Sequence, residues 1–323
     1  DVKQAERLDV SSAWLIYNHL TSLQQQGKTV SFRHFPKEYL LYFAAETFPA
    51  DATSKVPAWR QTVINLGKKS AQTLQLLYSA IAFFGQSLTA LTHILIAPGN
   101  LRFGAMLHHI FATGISAIPI VAMVATLISI VITYQGGGQL RELGATIYTV
   151  DMVAVSVLRE LGVLLTAIVV AGRSGSAFAA EIGLMKTNQE VDALMVMGSN
   201  PFMVLVLPRM LALLITLPLL TLIADMLALL AAAAIAPLLL DISFSQFFTR
   251  VEYGVALSTF LAGLIKAPFF ALVIAWVGCW QGMQVSGSSE SLGEHTTNAV
   301  VQSILLILLL DALFSILFYQ LGF

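Results

Sequence analysis

The chain is 323 residues long, 57% of them hydrophobic and 11% charged, where a soluble domain carries about 25% charged residues. A water-soluble surface cannot be built from that composition, so a soluble globular protein is excluded. Charge is also unevenly placed: residues 1–69 hold 9 of the 17 Lys and Arg and 6 of the 18 Asp and Glu, which gives a small polar head and a long apolar body.

No basic segment followed by a short apolar run opens the chain, so no cleavable signal sequence is expected. Residues 1–50 have a soluble, mixed pattern. Ala13, Ile16, Tyr17, Leu20 and Leu23 follow helical spacing, Gly27 suits a helix end, residues 29–32 suit a short strand, and Pro36 suits the first turn of a second helix. Residues 51–69 read as a linker. In residues 71–97, Leu74, Leu77, Ile81, Phe84, Leu88, Leu91 and Leu95 form one stripe, while Gln72, Gln75, Ser79 and Gln86 fall off it. Such a two-faced helix is expected to lie in the membrane interface, ended by Pro98, Gly99 and Asn100.

Five stretches near the length of about 20 residues that a bilayer requires follow: 110–133, 148–172, 210–240, 255–283 and 299–322. An all-α membrane protein is therefore expected. The third and fourth stretches are long enough to tilt or bend, with Pro218 and Pro237 as places for it. Gly136, Gly137 and Gly138 read as a flexible turn between the first two spans. Basic residues favour the cytoplasmic side, which puts the head and the loops carrying Arg102, Arg173, Lys186 and Arg209 inside, against Arg141 and Arg250 outside. The N-terminus is then cytoplasmic and the C-terminus lies on the far side.

Ionisable groups within spans are costly and point to function. Arg159 and Glu160 in the second span and Lys266 in the fourth are the first candidates, with Lys266 pairing to Glu160 or meeting a lipid phosphate. Asp225 and Asp311 read first as structural partners. Between the second and third spans, the small residues Gly172 to Ala180 allow close backbone approach. Thr187 followed by Glu190, with Asp192, has a capping-box pattern. Val191, Leu194, Met195 and Met197 give the resulting short helix an apolar side, and Gly198 with Pro201 ends it. That helix is positioned to bind a cytoplasmic partner or to lie on headgroups.

Other signals fail. Gly172-Arg173-Ser174-Gly175-Ser176 has Ser where a nucleophile elbow needs Gly. His108 and His109 are neighbours and cannot share a helical face as zinc ligands, and no Walker A motif occurs. The lone Cys279 sits in an apolar run, so neither a disulfide framework nor a Cys-based metal site is expected.

Leu158-Arg159-Glu160-Leu161-Gly162, the run Ala171 to Ala177, Ala180-Glu181-Ile182-Gly183-Leu184-Met185-Lys186, Asp192-Ala193-Leu194, Met197-Gly198, Asn200-Pro201 and Pro208-Arg209 resemble the MlaE (YrbE) permease family. The resemblance runs from about residue 70 to the C-terminus and includes Ile265-Lys266 and Leu310-Asp311. It implies a homodimer of five-span subunits with an interfacial elbow helix, in a bacterial inner membrane. It also implies a cytoplasmic ABC ATPase dimer docked through Glu181, Lys186, Glu190, Asp192, Leu194 and Met197, a periplasmic MCE-domain protein, and phospholipid held near Arg159, Glu160 and Lys266. ATP hydrolysis would belong to the partner; no cofactor and no nucleic-acid partner are implied. Residues 1–50 resemble the end of a STAS domain. On this reading Lys266→Ala is expected to keep assembly and weaken lipid transfer. The rival expectations are an ion-coupled transporter or channel in which Glu160, Lys266 and Asp311 relay protons, an intramembrane enzyme using Ser174 or Ser176, and a scaffold.

Overall fold

The computed structural model describes residues 58–96 and 102–322, with the isolated positions 19, 22 and 23. The strand expected at 29–32 and the STAS-like reading of residues 1–50 lie outside the described residues, apart from those three helical positions. Two units are distinguished, Asp1–Leu74 and Gln75–Phe323. Among the described residues every regular element is helical.

In chain order these are α1 (Ala58–Ile96), α2 (Phe103–Thr113), a 3₁₀ turn (Ile115–Ala117), α3 (Ile118–Glu142), α4 (Tyr148–Ser156) and α5 (Gly162–Val170). Then come α6 (Ser176–Thr187), α7 (Glu190–Val196), α8 (Leu207–Leu239), α9 (Phe244–Gly254), α10 (Leu257–Gln284) and α11 (Ser289–Gln320). Three π-helical turns, Val157–Leu161, Ala171–Gly175 and Phe202–Val206, join α4 to α5, α5 to α6, and the α7 loop to α8. Among the described residues six stretches are long and apolar enough to cross a membrane: Thr62–Thr92, Phe103–Glu142, Tyr148–Thr187, Phe202–Leu239, Leu257–Gln284 and Ser289–Gln320. The protein is an all-α, multi-pass membrane protein.

Several boundaries move from the sequence reading. Residues 58–69, read as linker, are the start of α1. The second span runs on to Thr187, so Gly172 to Ala180 lie within a continuous helical rod and not in a loop. Residues 136–138 are helical within α3. A Cβ built at Gly137 would lie 2.5 Å from Leu240 Cδ2. Gly136 and Gly137, the former facing Met152, let α3 pack closely on its neighbours. Thr187 does not cap α7: its hydroxyl donates back to Gly183 O at 2.9 Å, and the cap position is Gln189, at φ 61°.

The packed core lies where α8 and α10 cross the second span, with Phe178, Ile182, Leu213, Leu217, Phe270 and Ile274 fully buried or nearly so. Hydrocarbon tails do not drive helices together as water does, so close fit carries the association. Of α1, Phe83, Ser87 and Ala90 are buried, at helical spacing. Phe83 meets Phe202 with ring centroids 4.9 Å apart, and Phe84 meets Trp276 at 5.4 Å. The apolar residues Leu77, Ile81 and Leu88 are exposed, off the face of α1 that carries Phe83, Ser87 and Ala90.

Candidate functional site

The first π turn builds the site. Gly162 N–H bonds to Val157 O, one residue beyond the α pattern, and the widened turn re-aims the side chains it carries. A Cβ at Gly263 of α10 would fall inside the radius of the Leu158 carbonyl oxygen, so α10 can approach this turn only with glycine there. Lys266 is three residues beyond Gly263 and therefore on the same helical face. Its side chain is fully buried. Lys266 Nζ donates to Glu160 Oε2 at 2.5 Å, to Asp311 Oδ1 at 2.9 Å and to Ser315 Oγ at 3.4 Å. Ser315 is four residues after Asp311, on the same face of α11, and donates to Glu160 Oε1 at 3.1 Å. Arg159 Nε stands 3.7 Å from Glu160 Oε1.

The cluster thus joins two cations and two carboxylates from three helices, so its formal charge balances. Its accessible edge is Arg159 and Glu160, with side chains 24% and 32% exposed, while Lys266 is at the back. Glu160 lies 12 residues from Tyr148, about 18 Å along the helix, so the cluster sits toward one end of the bundle and not at its centre. Of the two partners open to Lys266 in sequence, the structure gives Glu160, and adds Asp311. Asp225 has no such company. It is 3% exposed, Oδ1 has no hydrogen-bond partner among the described residues, and a Cβ at Gly162 would collide with it.

The same end carries α9, an amphipathic helix that sequence reasoning missed. Its signal was legible as Ser243 and Gln246, which form a capping box: Gln246 N donates to Ser243 Oγ at 3.4 Å, and Ser243 N to Gln246 Oε1 at 3.0 Å. Arg250 of α9 clamps Asp151 of α4 through Nε at 2.9 Å and Nη2 at 2.5 Å, and its guanidinium lies 5.6 Å from the Tyr148 ring centroid. This pairing holds Arg250 above its ordinary pKa.

The opposite end carries α7. Val191 is buried beneath it, Leu194 half-buried, and Asp192, Met195, Val196 and Met197 exposed, Val196 at 89%. Glu190 is exposed and accepts from Asn188 Nδ2 at 3.1 Å. Glu181 pairs with the buried Arg209 at 2.8 Å, while Lys186 donates to the carbonyl of Met283 near the end of α10. Glu181 and Lys186 therefore tie helices together beneath α7, and Asp192, Met195, Val196 and Met197 form its outer face. A cavity of about 500 Å³ behind α7 is lined by Arg102, His109, Glu190, Leu194, Met197 and Arg209.

Comparison with known proteins gives the family. The family model described as Permease MlaE matches residues 106–317, which takes in α3 to α10 and both clustered ends. The chain belongs to the MlaE permease family. A probable ABC transporter permease protein of Rickettsia bellii is 31% identical over 256 residues, covering 79% of this chain and 97% of the relative. One from Synechocystis sp. is 34% identical over 239 residues, covering 74% and 90%. Protein TRIGALACTOSYLDIACYLGLYCEROL 1, chloroplastic, of Arabidopsis thaliana is 30% identical over 225 residues, covering 70% and 64%. The MlaE match begins after residues 1–50, so the STAS-like reading gains no support from it.

Within this MlaE permease, Arg159, Glu160 and Lys266 are brought together as the sequence reading grouped them. Asp311 joins them as an ion-pair partner of Lys266. Ser315 was missed, and its spacing of four residues after Asp311 was the available signal. Ser176 Oγ donates to Gly172 O at 2.5 Å and lies 3.0 Å from Arg173 O; these backbone bonds occupy the hydroxyl that an intramembrane nucleophile would need.

Proposed function

We propose that this chain is the membrane-spanning subunit of an ABC transporter that moves phospholipid, with two copies enclosing the lipid path. The reading rests on one observation: a charge-balanced cluster buried among three helices of an MlaE-family permease, with an edge of Arg159 and Glu160 open to a ligand. A phosphate has the geometry for Arg159, whose planar fork matches it, with Glu160 as counter-charge. Lys266 is committed to two carboxylates, so it acts by holding Glu160 and Asp311 rather than as a direct phosphate donor. The name of the Arabidopsis relative contains that of a glycerolipid, which agrees with a lipid cargo.

The exposed apolar tip of α7, Met195 to Met197, is the surface offered to a cytoplasmic ATPase dimer, with Asp192 and Glu190 at its rim. The α9 end would then face the periplasm and an MCE-domain partner, in a bacterial inner membrane with the head cytoplasmic.

A mild-detergent pull-down of the tagged chain, with mass spectrometry of proteins and extracted lipids, tests the reading. Recovery of an ABC ATPase, an MCE protein and glycerophospholipid is expected. A chain recovered with neither ATPase nor lipid would overturn it and favour ion coupling through the carboxylates of the cluster.

A further inference from the structure

The second π turn, Ala171–Gly175, carries a cation that the outer cluster does not absorb. Arg173 lies within the continuous rod Tyr148–Thr187, 14 residues before Thr187, which is about 21 Å along the axis. The rod has 40 residues, so it is about 60 Å long and exceeds a hydrocarbon core of about 30 Å by about 15 Å at each end. Arg173 is then about 6 Å inside the hydrocarbon boundary on the α7 side, a depth from which an arginine reaches the phosphate layer.

The surroundings leave that charge uncompensated. Arg173 Nη2 donates to Ser116 Oγ of the 3₁₀ turn at 2.9 Å, and Nη1 is buried with no hydrogen-bond partner among the described residues. No carboxylate of the described residues comes within 4.0 Å of it, whereas Arg209 and Arg250 each have one and Lys266 has two. Glu181, two turns further along the same rod, is taken by Arg209. A guanidinium has five donors, and although Arg173 as a whole is half-buried, its Nη1 is left without a partner away from water, which an anion would supply. Beside it the chain leaves room: Gly172 is exposed, and a Cβ there would meet nothing within 4 Å.

We infer that Arg173, with Ser116 and the open space at Gly172, forms a second anion subsite that takes the phosphate of a phospholipid from the α7-side leaflet. It stands 14 residues from Arg159 on the same rod, about 21 Å away along the axis. The two π turns thus place one cation near each leaflet's phosphate level. This deepens the lipid-permease reading and rests on it for the identity of the cargo, but the subsite itself is a binding property that needs no nucleotide.

The experiment uses the full chain in its native membrane, with the photo-crosslinker p-benzoylphenylalanine at Gly172, where a side chain fits, and ³²P-labelled phospholipid. Label is counted in the wild-type, Arg173→Lys and Arg173→Gln backgrounds, all without nucleotide. Arg173→Gln is expected to lose label about tenfold and Arg173→Lys to keep most of it, as loss and retention of a charge-assisted contact require. The thermal midpoint of each variant separates lost binding from lost fold. Label unchanged by Arg173→Gln means ordinary boundary lipid and overturns the subsite, as does crosslinking to a second copy of the chain. Loss of label in excess inorganic phosphate assigns the site to the free anion and overturns its lipid form. Excess diacylglycerol, which has no phosphate, is expected to leave the label in place. If lipid transfer fails while Arg173-dependent label persists, the transport reading falls and the subsite stands.

Discussion

Lys266 shows how a single buried cation commits its surroundings. Removing it leaves Glu160 and Asp311 facing each other, with the Ser315 hydroxyl and the more distant Arg159 beside Glu160 and no cation for Asp311. Breaking a buried pair costs on the order of 3–5 kcal/mol, whereas replacing the whole set by neutral groups is often tolerated. Lys266→Met is therefore expected to lower the thermal midpoint in detergent clearly, and Lys266→Met combined with Glu160→Gln and Asp311→Asn to recover much of the loss. A triple variant no more stable than the single one would show that the cluster is not held by its charges. Lipid transfer should fall in both, because the single variant frees Glu160 from the Lys266 that holds it, and the triple variant also removes the counter-charge of Arg159. The earlier expectation for Lys266→Ala thus acquires a stability cost as well as a transport defect.

At the scale of elements, glycine and the π turns divide the work. Gly278 faces the second π turn, where a Cβ would lie 2.8 Å from Gly175 O, while a Cβ at Gly138 would meet nothing within 4 Å. Gly278→Ala is expected to destabilise by about 1–3 kcal/mol through overpacking against backbone that cannot yield. Gly138→Ala should be neutral or stabilising by up to ~1 kcal/mol, since alanine restricts the unfolded chain and favours helix. Thermal melts of the two variants side by side check this, and equal effects would refute the close-approach role. For α9, Ser243→Ala removes the capping hydroxyl and should cost about 1 kcal/mol, read as faster hydrogen exchange of residues 244–254 with the rest of the bundle unchanged.

For the whole molecule, the decisive quantity is which end faces which compartment. Val196 on α7 and Tyr253 on α9 are 89% and 83% exposed and belong to opposite ends. Cysteines at these positions are expected to react with an impermeant maleimide from opposite sides of the membrane, Val196 from the cytoplasm. A cysteine at Lys68 then decides α1: labelling from the side of Val196 makes α1 interfacial, and labelling from the other side makes it a sixth span. Val196→Asp should keep the thermal midpoint within about 0.5 kcal/mol, as an exposed substitution does, yet reduce copurifying ATPase several-fold. Retention of ATPase would move the docking surface away from α7.

Hydropathy alone determined that the chain is a helical membrane protein, because a bilayer admits few alternatives and about 20 apolar residues are hard to mistake. Arg159, Glu160, Lys266 and Asp311 were legible for a related reason: charge inside an apolar run stands out at any register. The rest depended on tertiary structure. Residues 136–138 pack within helix and do not turn because Leu240, a hundred residues on, comes to meet Gly137. Thr187 fails to cap because its hydroxyl turns back to Gly183. Lys266 chose among its partners only when Gly263 brought α10 onto the first π turn. Arg173 read as an inside-loop charge until the second span proved to continue past it, and only then did its lack of a carboxylate have meaning. Local pattern gives the span and its charges; which charges meet, and which is left without a partner, is set by helix contacts between residues far apart in sequence.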